Sequence, residues 1–435
     1  MRDIGSSAGS SRGSVGRRLA LGLLLAAVAA ALAFATPARA LQTYQYVNQF
    51  GTPGAGDGQF NQPYLMAFGG ATPHLYVADK GNQRIVELTP AGTYIGKLAD
   101  PVWSPSSSRF DQPQAVAYAG GTVFGLDYTV GLASFDAATR AFGTSVTAFG
   151  SGDKFNLPSG VAADSAGGVF VADTNDQRIV KFSSSSPANL TYVTTFGDTG
   201  TSKLQRPSGI AVGPQGQVYV ADSLRGQVVR FTPDSTKSVY TATAFWGGSG
   251  TVTGELSSPT GLACDAAGNI YVTEPDTKLV KKLSAADGAL LASWGGAGTG
   301  NGQFTYPLGI AVNSDGHVFV GDRDAARIQE FQPVDMGPRT IASANVTVKK
   351  GKTASFKFRV DEDVSPKATA WIKIMKGKVV KKTIPCGLVT SGVWTTLRWK
   401  KCTLAKGKYT WAVYATDQGG HAQQAPPGSK KLTVK

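Results

Sequence analysis

The sequence predicts an all-β protein, a six-bladed β-propeller followed by a small two-sheet sandwich. Three observations carry this expectation. A unit opening at Pro63, Pro113, Pro158, Pro207, Pro259 and Pro307 recurs every 45 to 52 residues. The second strand of every unit ends in a carboxylate, at Asp79, Asp127, Asp173, Asp222, Glu274 and Asp322. Residues 338–435 alternate apolar and polar with the period of two that marks half-buried strands.

The chain opens on a targeting segment, residues 1–40. Arg12, Arg17 and Arg18 precede an apolar run from Leu19 to Phe34, and Ala38-Arg39-Ala40 fits a small-x-small cleavage site. The run is short for a membrane span. Arg17-Arg18 permits a twin-arginine route alongside the general one. Cleavage near Ala40 would deliver a secreted, extracellular or envelope-located chain.

Residues 41–335 hold the repeat. In Pro158–Phe182, two short strands flank the turn Asp164–Gly168, and Arg178–Phe182 opens a third strand. Most units add a fourth ending in Phe-Gly or Trp-Gly, as at Phe149-Gly150 and Trp246-Gly247. Four short strands per unit is the composition of a propeller blade. One unit buries too little apolar surface to offset its ordering entropy, so neighbours must stack. The last unit stops after its third strand at Phe331, and Tyr44–Phe50 carries an unmatched fourth-strand pattern ahead of the first. Tyr44–Phe50 is therefore expected to complete the sixth blade and leave no open edge.

Pro-Ser-Gly-Ile-Ala-Val at Pro207–Val212, Val-Tyr-Val-Ala-Asp at Val218–Asp222 and Asp-Thr-Asn-Asp-Gln-Arg-Ile at Asp173–Ile179 resemble the NHL-repeat family of six-bladed propellers. The resemblance covers roughly residues 43 to 333. It implies the fold more than the function, because such propellers host both binding and catalysis. The second unit departs from the pattern, with Ala115 where Gly is expected and Tyr128 after the acid with no Arg following.

Residues 338–435 form a separate, basic domain. They carry 20 Lys and Arg against 4 Asp and Glu, whereas residues 41–337 carry 18 against 24. About seven strands fit this length, which argues for an immunoglobulin-like sandwich. Its last part, from Leu404 to Gly420, resembles the Ig-like module of bacterial extracellular proteins, including the hook-capping type. Cys386 and Cys402 lie in it, and an oxidising destination favours a disulfide between them. Cys264 takes the strand position of Val212 and Val312, which reads as a small buried hydrophobe.

For chemistry, the loops before each Pro and after each acid should share one end of the ring. The acids Asp79, Asp127, Asp173, Asp222 and Asp322 are candidate ligands for a Ca²⁺ ion. The competing reading is that each caps its own loop, and near-identical copies favour that one. Arg84, Arg178 and Arg327 are candidate anion-binding residues, against a pairing with carboxylates of the same or the next blade. Tyr128, Glu274 and Arg323 break the repeat and are the candidates for specificity at the channel mouth. Three histidines, His74, His317 and His421, are too scattered for the histidine-metal site of related propeller lyases. The net acidic propeller does not indicate a nucleic-acid surface.

Together these features favour an exported, non-enzymatic scaffold that binds a protein or glycan ligand at the cell envelope and needs no cofactor. The alternative is a propeller hydrolase or lyase that depends on a Ca-type metal. The basic domain would attract an anionic cell-wall polymer or a membrane surface.

Overall fold

The computed structural model describes residues 42–98, 110–200, 203–248, 255–334, 339–342, 344–361, 367–391, 393–417 and 429–435. The targeting segment 1–40 and His421 lie outside the described residues. Strand is almost the only regular structure. Lys80–Asn82 forms a three-residue 3₁₀ turn.

Residues 44–333 build a β-propeller from four-stranded antiparallel sheets, six among the described residues. The first comprises Pro63–Gly69, His74–Asp79, Arg84–Leu88 and Tyr94–Leu98. The first strands of the other five are Pro113–Ala119, Gly160–Ala163, Pro207–Val212, Leu262–Cys264 and Pro307–Val312. Tyr44–Phe50 is the fourth strand of the last sheet. It pairs antiparallel with Arg327–Pro333, Tyr44 opposite Pro333 and Phe50 opposite Ile328. The second strands are buried on both faces. Val77, Phe124, Val171, Val220, Val272 and Val320 are all fully enclosed. Burial on both sides explains why these strands read as near-continuous apolar runs.

The glycine of the Pro-x-Gly motif is a packing requirement. A Cβ at Gly160 would lie 2.0 Å from Ser208 O, at Gly209 2.2 Å from Thr260 O, at Gly261 2.1 Å from Leu308 O, and at Gly309 2.1 Å from Tyr64 O. The innermost strand of each of these sheets thus runs backbone-to-backbone against that of the next, and Gly209 N–H donates to Thr260 O at 2.7 Å. Gly209→Ala is expected to destabilise the propeller by about 1–3 kcal/mol, because the obstruction is main chain and cannot rotate away. Urea denaturation of the two proteins checks this.

A second set of contacts lies one strand further out. Glu87, Ser134, Lys181, Arg230, Lys282 and Glu330 hold the same place on successive third strands, opposite Tyr76, Phe124, Phe170, Tyr219, Tyr271 and Phe319. Most reach the outer hairpin of the following sheet. Glu87 accepts from Arg140 Nε at 2.8 Å, Ser134 donates to Pro187 O, Lys181 to Lys237 O at 2.6 Å and Arg230 to Ala285 O at 3.1 Å. Lys282 donates to Oε1 of Gln42, just ahead of Tyr44–Phe50, at 3.1 Å. The N-terminal strand therefore occupies the place that an ordinary outer hairpin occupies elsewhere.

Residues 339–435 form two sheets over one apolar core. Arg339–Ala342, Ala354–Asp361 and Trp394–Trp399 make the smaller sheet. Val346–Val348, Lys430–Val434, Gly407–Asp417, Lys367–Lys376 and Val379–Thr390 make the larger, in that spatial order. Phe356 of one sheet meets Trp411 of the other with ring centroids 4.9 Å apart. The expected Cys386–Cys402 disulfide is not formed, and all three cysteines are free thiols. Cys386 is the extra residue of a bulge between the Ala370–Gly387 and Trp371–Pro385 pairs, and its Sγ lies 3.8 Å from Ile384 O. Cys402 is fully buried. Both pack against the same core as thiols.

Candidate functional site

The strand-end acids have one shared task. All six side chains are fully buried. Each accepts main-chain N–H bonds from the loop that precedes the Pro of its own sheet. Asp79 takes Asn61 N–H at 2.7 Å, Asp127 those of Asp111 and Gln112, Asp173 that of Asn156, Asp222 those of Gln205 and Arg206, Glu274 that of Ser257, and Asp322 those of Thr305 and Tyr306. The acids therefore tie down the loop before the first strand as well as the turn that follows them. Burial pushes the Asp79 and Asp173 carboxyls above the ordinary range, while these N–H donors and the partner arginines pull them back.

The arginines complete this arrangement. Arg84 Nε donates to Asp79 at 2.9 Å, Arg178 to Asp173 at 2.8 Å and Arg327 to Asp322 at 3.3 Å. Arg84 spends its other N–H groups on the carbonyls of Ala55, Gly56 and Gln59. Arg327 does the same with those of Thr299, Gly300 and Gln303. These guanidinium groups are placed within the blades, with each arginine matched to the acid of its own sheet. Where the arginine is missing, other donors substitute. Asp127 accepts Thr129 and Val130 N–H groups, and the longer Glu274 reaches Lys281 at 2.6 Å. Lys278, which stands near the arginine position, instead sits 5.0 Å from the Tyr306 ring centroid.

At the same end a cavity of about 620 Å³ opens among the first strands. Two residues per sheet build most of it. The residue after each Pro gives Tyr64, Gln114, Ser159, Ser208, Thr260 and Leu308, and the residue after each acid gives Lys80, Tyr128, Thr174, Ser223, Pro275 and Arg323. Tyr128 and Arg323 therefore line the cavity. Glu274 does not, because it occupies the acid position itself and Pro275 takes the following one.

The wall is chemically divided. On one side Lys80 Nζ lies 4.6 Å from the Tyr64 ring centroid and 5.6 Å from that of Tyr128, and Arg323 Cζ lies 3.7 Å from that of Tyr306. Arg323 also pairs with Asp324 at 2.7 Å. Burial favours its neutral form, but Asp324 and Tyr64 more than offset this and raise its pKa above the ordinary value. The other side is mainly hydroxyl and amide, with the Arg206 guanidinium among them. Ser159 and Thr174 hydroxyls meet at 2.6 Å, Thr174 donates to Pro207 O at 2.8 Å, and Ser258 Oγ is buried with no partner among the described residues. Asp276 is the one carboxylate on the wall among the described residues.

A metal held by carboxylates does not fit these residues. Asp276 stands alone, the strand-end acids are enclosed and engaged, and no group of three or more His, Cys, Asp or Glu among the described residues is placed to hold an ion. His74 and His317 lie at the hairpins between the first and second strands and pair with Glu87 and Glu330 at 2.7 and 2.6 Å.

No curated protein matches the chain. Among solved structures, the PQQ-bound aldose sugar dehydrogenase of Streptomyces coelicolor aligns at 12% identity, over 68% of this chain and 100% of its own, with a TM-score of 0.44. The periplasmic gluconolactonase PpgL of Pseudomonas aeruginosa aligns at 12% identity over 91% and 100%, with a TM-score of 0.36. A Lactobacillus plantarum protein aligns at 12% identity over 91% and 97%, with a TM-score of 0.39. The NHL repeat profile matches residues 304–331. The profile described as SMP-30/Gluconolactonase/LRE-like region matches residues 75–300, more than half of the chain. The chain belongs to the SMP-30/gluconolactonase/LRE-like family.

Proposed function

We propose that the propeller is an exported hydrolase-type module that takes a small hydroxylated molecule bearing a carbonyl or carboxylate, such as a sugar lactone, into the 620 Å³ cavity. The divided wall carries this reading. Hydroxyl and amide groups suit the hydroxyls of a sugar, tyrosine rings suit its apolar face, and Lys80 and Arg323 suit an oxygen that gains negative charge. In lactone hydrolysis, the oxygen of a water bonds to the ring carbonyl carbon. Asp276 takes the water's proton and returns it to the ring oxygen as the carbon–oxygen bond breaks. Lys80 and Arg323 face the carbonyl oxygen while it is anionic. No step passes through a metal.

The scaffold expectation gives way to this reading, because the family whose profile matches residues 75–300 carries gluconolactonase in its description. The same proposal takes the ring as closed and six-bladed, supported by the six sheets and by Tyr44–Phe50 completing the last. It takes residues 338–435 as an Ig-like sandwich, supported by two sheets on one core. Export rests on the leader pattern of residues 1–40.

The test is a pH-stat screen of aldonic acid lactones on the purified mature chain, with and without added divalent ions. Hydrolysis above the uncatalysed rate that persists in a chelator is the expected result. No acceleration of any lactone under either condition would refute the reading.

A further inference from the structure

We propose that one end of the sandwich docks on an anionic lipid bilayer, with the hairpin tip at Val379 and Val380 entering the lipid interface.

The strand registers gather the lysines at one end. The hairpin between Lys367–Lys376 and Val379–Thr390 turns there through Gly377, whose φ is +60°, and Lys378. Gly407–Asp417 begins at that end and Lys430–Val434 finishes at it, since Met375 faces Thr410 and Gly407 faces Val434. Val346–Val348 also finishes there, parallel to Leu432–Val434. Ala354–Asp361 begins and Trp394–Trp399 finishes there, with Ala354 opposite Trp399. The loops at this end are stitched together by Lys350 N–H to Lys435 O and Cys402 N–H to Lys352 O, both at 3.0 Å.

Each of these elements contributes lysine. The turn after Val348 carries Lys349, Lys350 and Lys352. The hairpin carries Lys376, Lys378, Lys381 and Lys382. The loop after Trp399 carries Lys400, Lys401 and Lys406. All are exposed, and none pairs with a carboxylate among the described residues. Asp361 and Asp417 end the two strands that begin at the lysine end, so they mark the opposite end.

The charge alone would suit any polyanion. The tip narrows the choice. Val379 is 55% exposed and Val380 47%, at the far reach of an edge hairpin and flanked on both sides by lysine. Two adjacent exposed valines add nothing to the sandwich core. They fit a partner with an apolar interior beneath an anionic surface, which a bilayer has and a soluble polymer lacks.

The experiment is co-sedimentation of the full mature chain with phosphatidylcholine vesicles, with and without phosphatidylglycerol. Binding is expected only where phosphatidylglycerol is present, and it should weaken as salt is raised. Lys376→Glu with Lys378→Glu should reduce it by roughly tenfold or more. Val379→Ser with Val380→Ser should reduce it several-fold with the thermal midpoint unchanged, and a Val379→Trp probe should shift its emission to the blue on vesicles. Failure of the chain to bind phosphatidylglycerol vesicles would overturn the proposal. So would undiminished binding of the double serine variant together with a Val379→Trp emission that does not move, the outcome expected of a surface for soluble polyanions.

Discussion

Asp79→Ala is expected to lower the free energy of unfolding by about 3–5 kcal/mol, a large share of a typical domain's stability. Asp79 is fully buried and accepts from Asn61 N–H at 2.7 Å, Asn82 Nδ2 at 2.8 Å and Arg84 Nε at 2.9 Å. Its removal leaves the Arg84 guanidinium, on a residue 5% exposed, without a counter-charge and releases the loop ahead of Pro63. Arg84→Ala is expected to cost less, because Asp79 keeps its other two donors. Urea denaturation orders the two variants. The same experiment separates this account from a cation site. If Asp79 held an ion, chelation would lower wild-type stability and leave the variant unmoved. A structural Asp79 predicts that chelator changes neither protein.

Arg323→Ala should act in the opposite way, on chemistry and not on folding. Arg323 is half-buried at the cavity wall, stacked on Tyr306 and paired with the exposed Asp324. Losing a charge-stabilising donor from an enclosed site typically costs about 10²- to 10³-fold in kcat. The thermal midpoint should stay close to wild type, since no buried charge is orphaned. Steady-state kinetics on the lactone identified by the screen, with differential scanning calorimetry in parallel, checks both halves. Glu274→Gln is the useful contrast. Glu274 also departs from the repeat, but it lies away from the cavity and pairs with Lys281. That substitution should lower stability and leave kcat/KM nearly unchanged.

The repeat was legible because its architecture is written in recurring residues. The Pro, the glycine after it and the strand-end acid each answer a demand that returns in nearly every sheet. Gly209 needs to pass Thr260 O just as Gly261 needs to pass Leu308 O. The completing role of Tyr44–Phe50 followed from the one unit that ran out of strands. The cavity was harder to read, because a binding wall is where the repeat stops repeating. The residues after the Pro are Tyr64, Gln114, Ser159, Ser208, Thr260 and Leu308, with no common chemistry. Only their equal offset from the Pro marks them as a ring. Glu274 shows the reverse error. Its departure from Asp suggested specificity, whereas the longer side chain only exchanges an arginine partner for Lys281. Contacts between sheets were hidden for a similar reason, since Glu87, Lys181 and Arg230 meet different hairpins with different chemistry. Cysteine count and compartment cannot report geometry, and so the disulfide expectation missed that Cys386 is a bulge residue and Cys402 a core thiol.

The most direct test of the cavity as the functional site is calorimetric titration of an aldonate into three proteins. These are the mature wild type, Arg323→Ala and Arg140→Ala. Arg140 pairs with Glu87 in the contacts between the first two sheets and takes no part in the cavity wall. A saturable signal is expected for wild type and Arg140→Ala, and its loss in Arg323→Ala. Equal binding by Arg323→Ala and wild type, or none by wild type, would contradict that expectation.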